Sequence, residues 1–315
     1  GTSLQQQGVY QLTGNVSGGS SQQWLGNVSV QGDATLQSGG AIDFAGAVSV
    51  AAGQQLTLAN GGSGGSFSVA GQLESRGNRS MDGLINSGAL QVSSGTLQLA
   101  GGGNQSGTFA VDGTLSFVSG NWQLQDGVTL SGSGSFGSGA DATVAVSGSQ
   151  QGVTIAAGTD IDLDDLALSG SGKLVNRGSL SATERQLGFS LENHGTASME
   201  SVTLTASVDN RGQLSLGKGS VAADILNRQY LVVDESQVQS LVNQAGSETV
   251  ATHGVLDLID NSGKVELYDS RAGTLSNRGE LQASASRIAQ LDNQAGAQSV
   301  LSGGQLDLLD NESSI

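Results

Sequence analysis

Short segments of this chain alternate strictly between apolar and polar residues. Examples are Leu97-Gln98-Leu99, Ile161-Asp162-Leu163 and Leu256-Asp257-Leu258. Alternation with a period of two residues is typical of a β-strand that buries one face. Gly, Ser, Asn and Asp separate these segments, and helical spacing of apolar residues is nowhere sustained. The pattern therefore predicts an all-β chain of short strands joined by tight turns.

One asparagine returns at nearly constant spacing through the second half of the chain. A compact aliphatic run precedes it each time, and a glycine or small residue usually follows. The nine members of this row, which we call the Asn ladder, are Asn176, Asn193, Asn210, Asn227, Asn243, Asn261, Asn277, Asn293 and Asn311. Their steps of about 16 to 18 positions indicate a backbone that winds once per repeat. The period predicts a parallel β-helix, a solenoid whose equivalent residues stack about 4.8 Å apart.

We interpret the repeated asparagine as a turn residue. Asparagine tolerates the left-handed backbone conformation, and its side-chain amide can donate and accept along a ladder of other asparagines. A sandwich or barrel of hairpins also has closely spaced strands. Hairpins, however, do not require the same residue type at the same phase of nine successive units.

The first half of the chain follows a wider and less regular period. Comparable short strands are predicted to begin at steps of about 20 or 21 positions, at Val28, Val48, Val69, Leu90 and Val111. We therefore predict wider, irregular β-helix coils over residues 1–160. Regular coils with a period of about 16 to 18 are predicted over residues 161–315, continuous with the first part in a single elongated rod.

Composition restricts the partners of the chain. The 315 residues carry a net charge of −16, and cysteine and proline are absent. Phosphate recognition needs clustered Lys and Arg, so no nucleic-acid partner is expected. No run of about 18 apolar residues occurs, and no membrane insertion is predicted. The chain opens at Gly1 without a signal-peptide pattern, so we expect a signal peptide that was removed or that lies upstream, and we expect a fragment of a longer repetitive protein.

Several repeats share a longer motif around the asparagine. They include Leu174-Val175-Asn176-Arg177-Gly178-Ser179-Leu180, Val208-Asp209-Asn210-Arg211-Gly212-Gln213-Leu214 and Leu275-Ser276-Asn277-Arg278-Gly279-Glu280-Leu281. Residues 170–315 thereby resemble the repeat region of filamentous-haemagglutinin-like exoproteins, the large Gram-negative adhesins secreted by the two-partner route. The chain resembles autotransporter passengers more loosely. An earlier single match is Leu84-Ile85-Asn86-Ser87-Gly88-Ala89-Leu90.

The resemblance implies a right-handed β-helical shaft that is secreted or held at the bacterial cell surface. It also implies an outer-membrane transporter for the full-length protein, and a host or bacterial surface glycan or protein as the adhesive partner. The secretion domain of the family carries Asn-Pro motifs. A chain without proline cannot contain them, so the resemblance places these residues in the shaft or stalk rather than in the export signal.

Candidate chemistry is sparse. Asp160, Asp162 and Asp164 alternate along one strand and could hold Ca²⁺ weakly, but the EF-hand spacing fails and we favour a solvated strand. His194 and His253 are isolated in predicted turns. Without cysteine, a zinc or iron site is not expected, and no cofactor is predicted.

Glu192 and Asp209 occupy the same phase of adjacent coils, and two carboxylates are the minimum for cleaving a glycosidic bond. The arginines that follow the Asn ladder, Arg177, Arg211, Arg228 and Arg278, are expected to pair with Glu192, Asp209 and Asp292 as surface ion pairs. Trp24, Trp122, Tyr230 and Tyr268 could stack on sugars, although a core position is favoured for Trp122.

These patterns favour a non-enzymatic extracellular adhesin shaft that projects or forms an adhesive surface for host cells or biofilm. The alternative is a β-helical carbohydrate-active enzyme, a polysaccharide lyase or hydrolase, or a phage tailspike-like module.

Overall fold

The computed structural model describes residues 3–6 and 8–312, with side chains from residue 8 onward. Every regular element within these residues is a β-strand, and the strand pairs are parallel. Successive strands of one stack come from successive turns of the chain, which defines a parallel β-solenoid. The predicted all-β solenoid is confirmed. Two compact units divide the chain, the first ending at Gly172 and the second starting at Lys173.

The first unit contains β1 (Ser3–Gln6), β2 (Tyr10–Leu12), β3 (Val16–Ser17), β4 (Ser21–Trp24), β5 (Val28–Val30), β6 (Ala34–Gln37), β7 (Ile42–Phe44), β8 (Val48–Val50), β9 (Gln55–Leu58), β10 (Ser66–Val69), β11 (Gln72–Ser75), β12 (Arg79–Met81), β13 (Gly83–Asn86), β14 (Ala89–Val92), β15 (Thr96–Leu99), β16 (Gly103–Gln105), β17 (Thr108–Val111), β18 (Thr114–Leu124), β19 (Thr129–Ser131), β20 (Ser135–Val146), β21 (Val153–Ile155), β22 (Asp160–Asp162) and β23 (Leu168–Gly170).

The second unit contains β24 (Lys173–Asn176), β25 (Ser179–Thr183), β26 (Gln186–Leu187), β27 (Ser190–Asn193), β28 (Thr196–Glu200), β29 (Thr203–Leu204), β30 (Val208–Asn210), β31 (Gln213–Gly217), β32 (Val221–Asn227), β33 (Tyr230–Asp234), β34 (Gln237–Asn243), β35 (Glu248–Thr252), β36 (Val255–Asn261), β37 (Lys264–Tyr268), β38 (Arg271–Asn277), β39 (Glu280–Ser284), β40 (Arg287–Asn293), β41 (Gln298–Ser302) and β42 (Gln305–Asn311).

Three stacks of parallel strands form the walls of the first unit. One includes β1, β4 and β7, a second runs from β2 through β5, β8, β10 and β13, and a third runs from β3 through β6, β9, β11 and β14. The long strand β18 pairs with both β15 and β16, so it covers two walls. Coil length varies: Phe67 pairs with Leu84, 17 positions later, whereas Leu130 pairs with Ile155, 25 positions later.

The predicted alignment of segments in the first half is only partly correct. Val28 and Val48 are register partners. Val69, however, pairs with Val50, and Leu90 lies on a different wall. Turns of unequal length separate the strands here. Residues at a constant spacing in sequence therefore come to lie on different walls within a few coils.

Wide coils in the first unit accommodate aromatic rings. Phe117 lies 5.2 Å from Trp122 and 6.4 Å from Phe109, measured between ring centroids. Trp122 is fully buried, and its indole N–H donates to the carbonyl of Ser119 at 2.9 Å. The core position favoured for Trp122 is confirmed. Because a buried indole N–H needs a partner, the widened coil supplies both the space and the acceptor.

A buried arginine links coils in the first unit. The guanidinium of Arg79 donates to the carbonyl of Ile42 at 2.9 Å and to that of Asn60 at 3.0 Å, and it lies 5.7 Å from the ring centroid of Phe44. Arg79 is 2% exposed, and this burial lowers its pKa to about 10. Buried carbonyls without partners are costly, so Arg79 stabilises a region where the coil length changes.

The second unit winds in regular coils, and asparagines paired between its neighbouring strands are 16, 17 or 18 positions apart. Its strands β25, β28, β31, β33, β35, β37, β39 and β41 stack on one wall, while the seven-residue strands from β32 onward each cover two walls. Leu180, Ala197, Leu214 and Leu231 are register partners with at most 1% exposure. Full burial of one aliphatic side chain contributes about 1.5–3 kcal/mol, so such rows stabilise each coil against its neighbours.

The left-handed turn of each coil in the second unit lies away from the Asn ladder. Residues with φ between 48° and 55° occupy one row, consisting of Glu184, Ser201, Lys218, Glu235, His253, Asp269 and Ala285. The asparagines instead end strands, and within the described residues none of them has a positive φ. The turn interpretation of asparagine is therefore wrong. The asparagine side chain points from its strand into the core. Asparagine is favoured at this position by its side-chain hydrogen bonds and not by its tolerance of left-handed backbone conformation.

Candidate functional site

The Asn ladder forms a continuous buried row of side-chain amides. Asn176, Asn193 and Asn210 each donate an N–H to the amide oxygen of the next asparagine at 2.8–2.9 Å. The same bond continues from Asn227 through Asn243, Asn261, Asn277 and Asn293 to Asn311 at 2.8–3.0 Å. The first seven asparagines have 0% exposure, Asn293 has 3%, and Asn311 is half-buried.

The amides from Asn176 to Asn277 also donate to a backbone carbonyl of the next coil, and several accept a backbone N–H of their own coil. Asn193 donates its second N–H to the carbonyl of Gln213 at 2.8 Å, and Asn210 donates to that of Tyr230 at 2.8 Å. The oxygen of Asn176 accepts the backbone N–H of Gly178 at 3.1 Å. An asparagine side chain has two donors and an oxygen with two lone pairs. The geometry satisfies them, which explains why a polar residue is stable in this core.

Two longer turns modify the ladder. Ala245 and Gly246 lengthen the turn after Asn243, and Gly246 has φ of 82°, a conformation that favours glycine. In this coil the amide oxygen of Asn243 accepts the hydroxyls of Ser247 at 2.8 Å and Thr249 at 2.9 Å. The hydroxyl of Ser299 plays the same part for Asn293 at 2.7 Å. These hydroxyls supply hydrogen-bond donors to the amide oxygens of the ladder in the coils that have the longer turn.

The earlier motif match in the first unit has the same local geometry. Asn86 is fully buried, and it donates to the carbonyl of Thr108 at 3.0 Å. Its register partner is Gln105 rather than another asparagine, and the Gln105 oxygen accepts the backbone N–H of Asn86 at 3.1 Å. The single motif match in the first unit therefore marks a corner of the coil that resembles those of the Asn ladder.

A second buried polar row was missed by the sequence reasoning. We call it the Ser ladder; its members are Ser220, Ser236, Ser270 and Ser286, all with at most 4% exposure. The hydroxyl of Ser270 accepts the backbone N–H of Gly254 at 3.1 Å, and that of Ser286 accepts the N–H of Ser270 at 3.1 Å. Serine is abundant in this chain, so the recurrence of these four was hidden. Three of them directly follow the left-handed residue of their coil, and that position is the signal that could have found them.

The carboxylates considered for catalysis do lie side by side. Glu192 and Asp209 are register partners on adjacent strands, β27 and β30. Asp209 binds Arg211 and Arg228, each at 2.8 Å, as expected. Glu192 instead contacts His194 at 2.7 Å and Lys173 at 3.7 Å. Both side chains are about one quarter exposed.

The environment of these two carboxylates favours their ionised forms. The hydrogen bond from His194 holds the pKa of Glu192 below its usual value. Burial by itself raises the pKa of Asp209, but the hydrogen bonds from Arg211 and Arg228 outweigh it and leave that pKa lowered. A general acid for glycoside cleavage needs a raised pKa. The geometry therefore suits ion pairs better than proton donation.

The remaining expected pairings are mixed. Arg278 forms an ion pair with Asp260. Asp292 accepts a hydrogen bond from the side-chain amide of Gln294 at 2.9 Å. Asp292 is therefore engaged by a glutamine and not by the arginine expected beside it. The reason lies in register, because the side chain of Arg278 extends toward the preceding coil, where Asp260 lies.

The acidic strand and the histidines lie at the surface. Asp160 and Asp162 are on β22, but Asp164 lies in the turn that follows it and not on the strand as predicted. All three are exposed, while Ile161 and Leu163 between them are buried. The carboxylate of Asp162 accepts the backbone N–H of Asp164 at 2.9 Å. Within residues 3–6 and 8–312, no group of three acidic or histidine side chains is arranged to hold a metal ion. His253 belongs to the left-handed turn row and lies 3.4 Å from Asp269.

The four aromatic candidates for sugar binding divide into two pairs. Trp24 and Trp122 are buried at 3% and 0% exposure. Tyr230 and Tyr268 are exposed at 37% and 40%, on the same wall of the second unit. Of these four, only the tyrosines are therefore available for contact with a partner.

Comparisons with known proteins give no match: no protein-family model, curated protein or solved structure matches this chain. In the part of the chain that the structure describes, no helix is long and apolar enough to cross a membrane.

Proposed function

We propose that this chain is a non-enzymatic extracellular shaft, part of a large secreted adhesin of the filamentous-haemagglutinin-like type. The main support for the proposal is the Asn ladder. The same side-chain hydrogen bond between asparagines joins successive coils from Asn176 to Asn311. A scaffold that repeats the same stabilising contact in every coil suits spacing and display. An enzyme needs one place where the pattern is interrupted by reactive groups.

The surface chemistry supports the same proposal. Glu192 and Asp209, the best-placed pair of carboxylates, lie against Lys173 and Arg211 respectively, and their pKa values are lowered. The shaft would be exported through an outer-membrane transporter and reside outside the cell or at its surface. Its partner would be a surface glycan or protein of a host cell or of a biofilm.

The test uses the purified chain on inert beads. We expect coated beads to adhere to host epithelial cells or to a bacterial film more than uncoated beads do. We also expect the chain to release no reducing ends from a panel of bacterial and plant polysaccharides.

The carbohydrate-active enzyme remains the alternative that this test addresses. Release of reducing ends by the parent chain, abolished by Glu192→Gln or Asp209→Asn, would establish the enzyme and overturn the shaft. The matched control is Asp260→Asn, which removes another ion-paired surface carboxylate of the same unit.

A further inference from the structure

Two exposed tyrosines share the outer face of one wall in the second unit. Tyr230 is the first residue of β33, and Tyr268 is the last residue of β37. Strand β35 lies between them, with Glu248 paired to Tyr230 and Thr252 paired to Tyr268. Their exposures of 37% and 40% contrast with the buried tryptophans of the first unit.

The two tyrosines lie diagonally across strands β33, β35 and β37 of this wall. They are separated by two strand spacings and by four positions along the strand, which places their backbones about 16 Å apart. Val250 lies at the centre of this diagonal and Val232 beside it, and both are half-buried on the outer face. Tyr230, Val232, Val250 and Tyr268 thus form an apolar strip, which we call the tyrosine strip.

Carboxylates surround the tyrosine strip. Asp234, Glu248, Glu266 and Glu280 are on the same outer face, and within the described strands β33, β35, β37 and β39 the one cation is Lys264. The outer-facing residues of these four strands therefore carry four acids and one lysine. Lys264 binds Glu248 at 2.9 Å and Glu266 at 2.5 Å, and the hydroxyl of Tyr268 donates to Glu266 at 3.0 Å. Asp234 and Glu280 are exposed at the margins of the face.

We propose that the tyrosine strip binds a glycan of glucosamine units that carry free, protonated amino groups. The apolar faces of the sugar rings would stack on Tyr230 and Tyr268, since aromatic rings offer large amphipathic contact surfaces. Ammonium groups would approach the carboxylates and the electron-rich ring faces. This proposal rests on the proposed adhesive function and names the chemistry of its partner.

Charge decides between glycan classes. A sulfated or uronic-acid polymer would meet like charges at Asp234 and Glu280, which is unfavourable. A fully acetylated glycan would keep ring stacking but lose the attraction between ammonium and carboxylate. The strip and its charged margin therefore fit the amino sugar best.

The experiment is a calorimetric titration of a fully deacetylated glucosamine hexasaccharide into the whole chain at mildly acidic pH. Parallel titrations use the N-acetylated hexasaccharide and a sulfated oligosaccharide. We expect binding of the deacetylated ligand. Tyr230→Ala and Tyr268→Ala should each weaken it about tenfold, equivalent to about 1.4 kcal/mol. Tyr230→Phe should retain affinity because the ring face remains.

A control is needed because a chain of net charge −16 attracts any polycation. Leu258→Ala removes an exposed apolar side chain, 55% exposed, from another wall of the same unit and should leave binding unchanged. Circular dichroism of each variant checks its fold. Equal affinity of the parent and both alanine variants would overturn the proposal, as would tighter binding of the acetylated or sulfated ligand.

The outcomes separate this proposal from the shaft itself. Bead adhesion without hexasaccharide binding would overturn the glycan assignment and leave the adhesive shaft intact. Cleavage of the hexasaccharide by the chain would instead overturn the non-enzymatic function.

Discussion

Asn193 donates its side-chain N–H to the amide oxygen of Asn210 at 2.9 Å, across two coils that are 17 residues apart in the chain. Both side chains have 0% exposure. Because the bond joins two adjacent coils, the stability of each coil depends on the residue at the equivalent position of its neighbour. Substitution at one position should therefore be felt in the coils on either side.

Asn210→Ala should destabilise the second unit substantially. Without the Asn210 amide, the N–H of Asn193 loses its acceptor and the side-chain oxygen of Asn227 loses a donor. The backbone carbonyl of Tyr230 also loses the N–H that bonds to it. A buried polar group without its partner costs about 1–3 kcal/mol, so we expect a total loss of about 2–5 kcal/mol. Denaturant unfolding followed by circular dichroism measures this. Ser198→Ala, on the outer face of the same unit, is the matched control, and an equal effect of both substitutions would contradict the role of the ladder.

Gly254→Ser should stabilise the second unit. Gly254 occupies the place in the Ser ladder between Ser236 and Ser270, and its φ is not in the left-handed region. An added Cβ would lie 3.3 Å from Val233 Cγ1, a contact that a small side-chain adjustment relieves. The new hydroxyl would face the backbone of Ser236, and we expect a gain of about 0.5–1.5 kcal/mol in denaturant unfolding. Gly254→Ala fills the same space without a hydroxyl, and an equal gain from it would show that the hydrogen bond contributes nothing.

Arg79→Met should loosen the first unit locally. The carbonyls of Ile42 and Asn60 lose their side-chain donor, at a cost of about 1–3 kcal/mol for each. Hydrogen exchange measured by mass spectrometry should show faster exchange of peptides that contain these residues. Lys218→Met, at an exposed position of the second unit, serves as the comparison. Unchanged protection around Ile42 and Asn60 would refute the proposed link between coils.

Glu74 should contribute to the acid sensitivity of the first unit. Hydrogen bonds from Arg76, at 2.7 Å, and from Ser93 and Thr57 hold the pKa of Glu74 below its usual value of 4.5. A carboxyl with a lowered folded-state pKa stabilises the protein above its usual pKa of 4.5, and this contribution is lost as the pH falls through the lowered value. Glu74→Gln should therefore reduce the loss of stability as the pH falls below that ordinary value of 4.5. Parallel denaturant titrations at several pH values give the slopes, and identical slopes for parent and variant would exclude this contribution.

Much of the second unit was predictable from particular residues. The spacing of the asparagines and the preceding aliphatic runs predicted stacked coils with a period of about 16 to 18. The pairing of Glu192 with Asp209 followed from their equal phase and agrees with the register. The ladder of side-chain amides was also predicted and is confirmed. The left-handed turn assigned to the same asparagines was wrong, because a turn residue and a buried strand residue can have the same spacing.

The first unit was less predictable because its turns differ in length. Val69 and Leu90 have a suitable spacing in sequence but lie away from the predicted alignment. The buried arginine was also invisible in sequence, since Arg79 resembles any other surface cation until its coil is folded. The change in coil length is seen in the registers of the folded chain, such as Phe67 with Leu84 and Leu130 with Ile155.

The amino-acid sequence by itself determined that this protein is a parallel stack of short strands with an asparagine in each regular coil. That information is local and periodic, and stacking turns equal spacing into direct contact. The tertiary structure decided which side chains face outward together, including Tyr230 with Tyr268, and which polar groups become buried partners, such as Arg79 with Ile42. These contacts join residues of different phase or across unequal turns, so they depend on the accumulated register of the coils rather than on any repeat that the sequence displays.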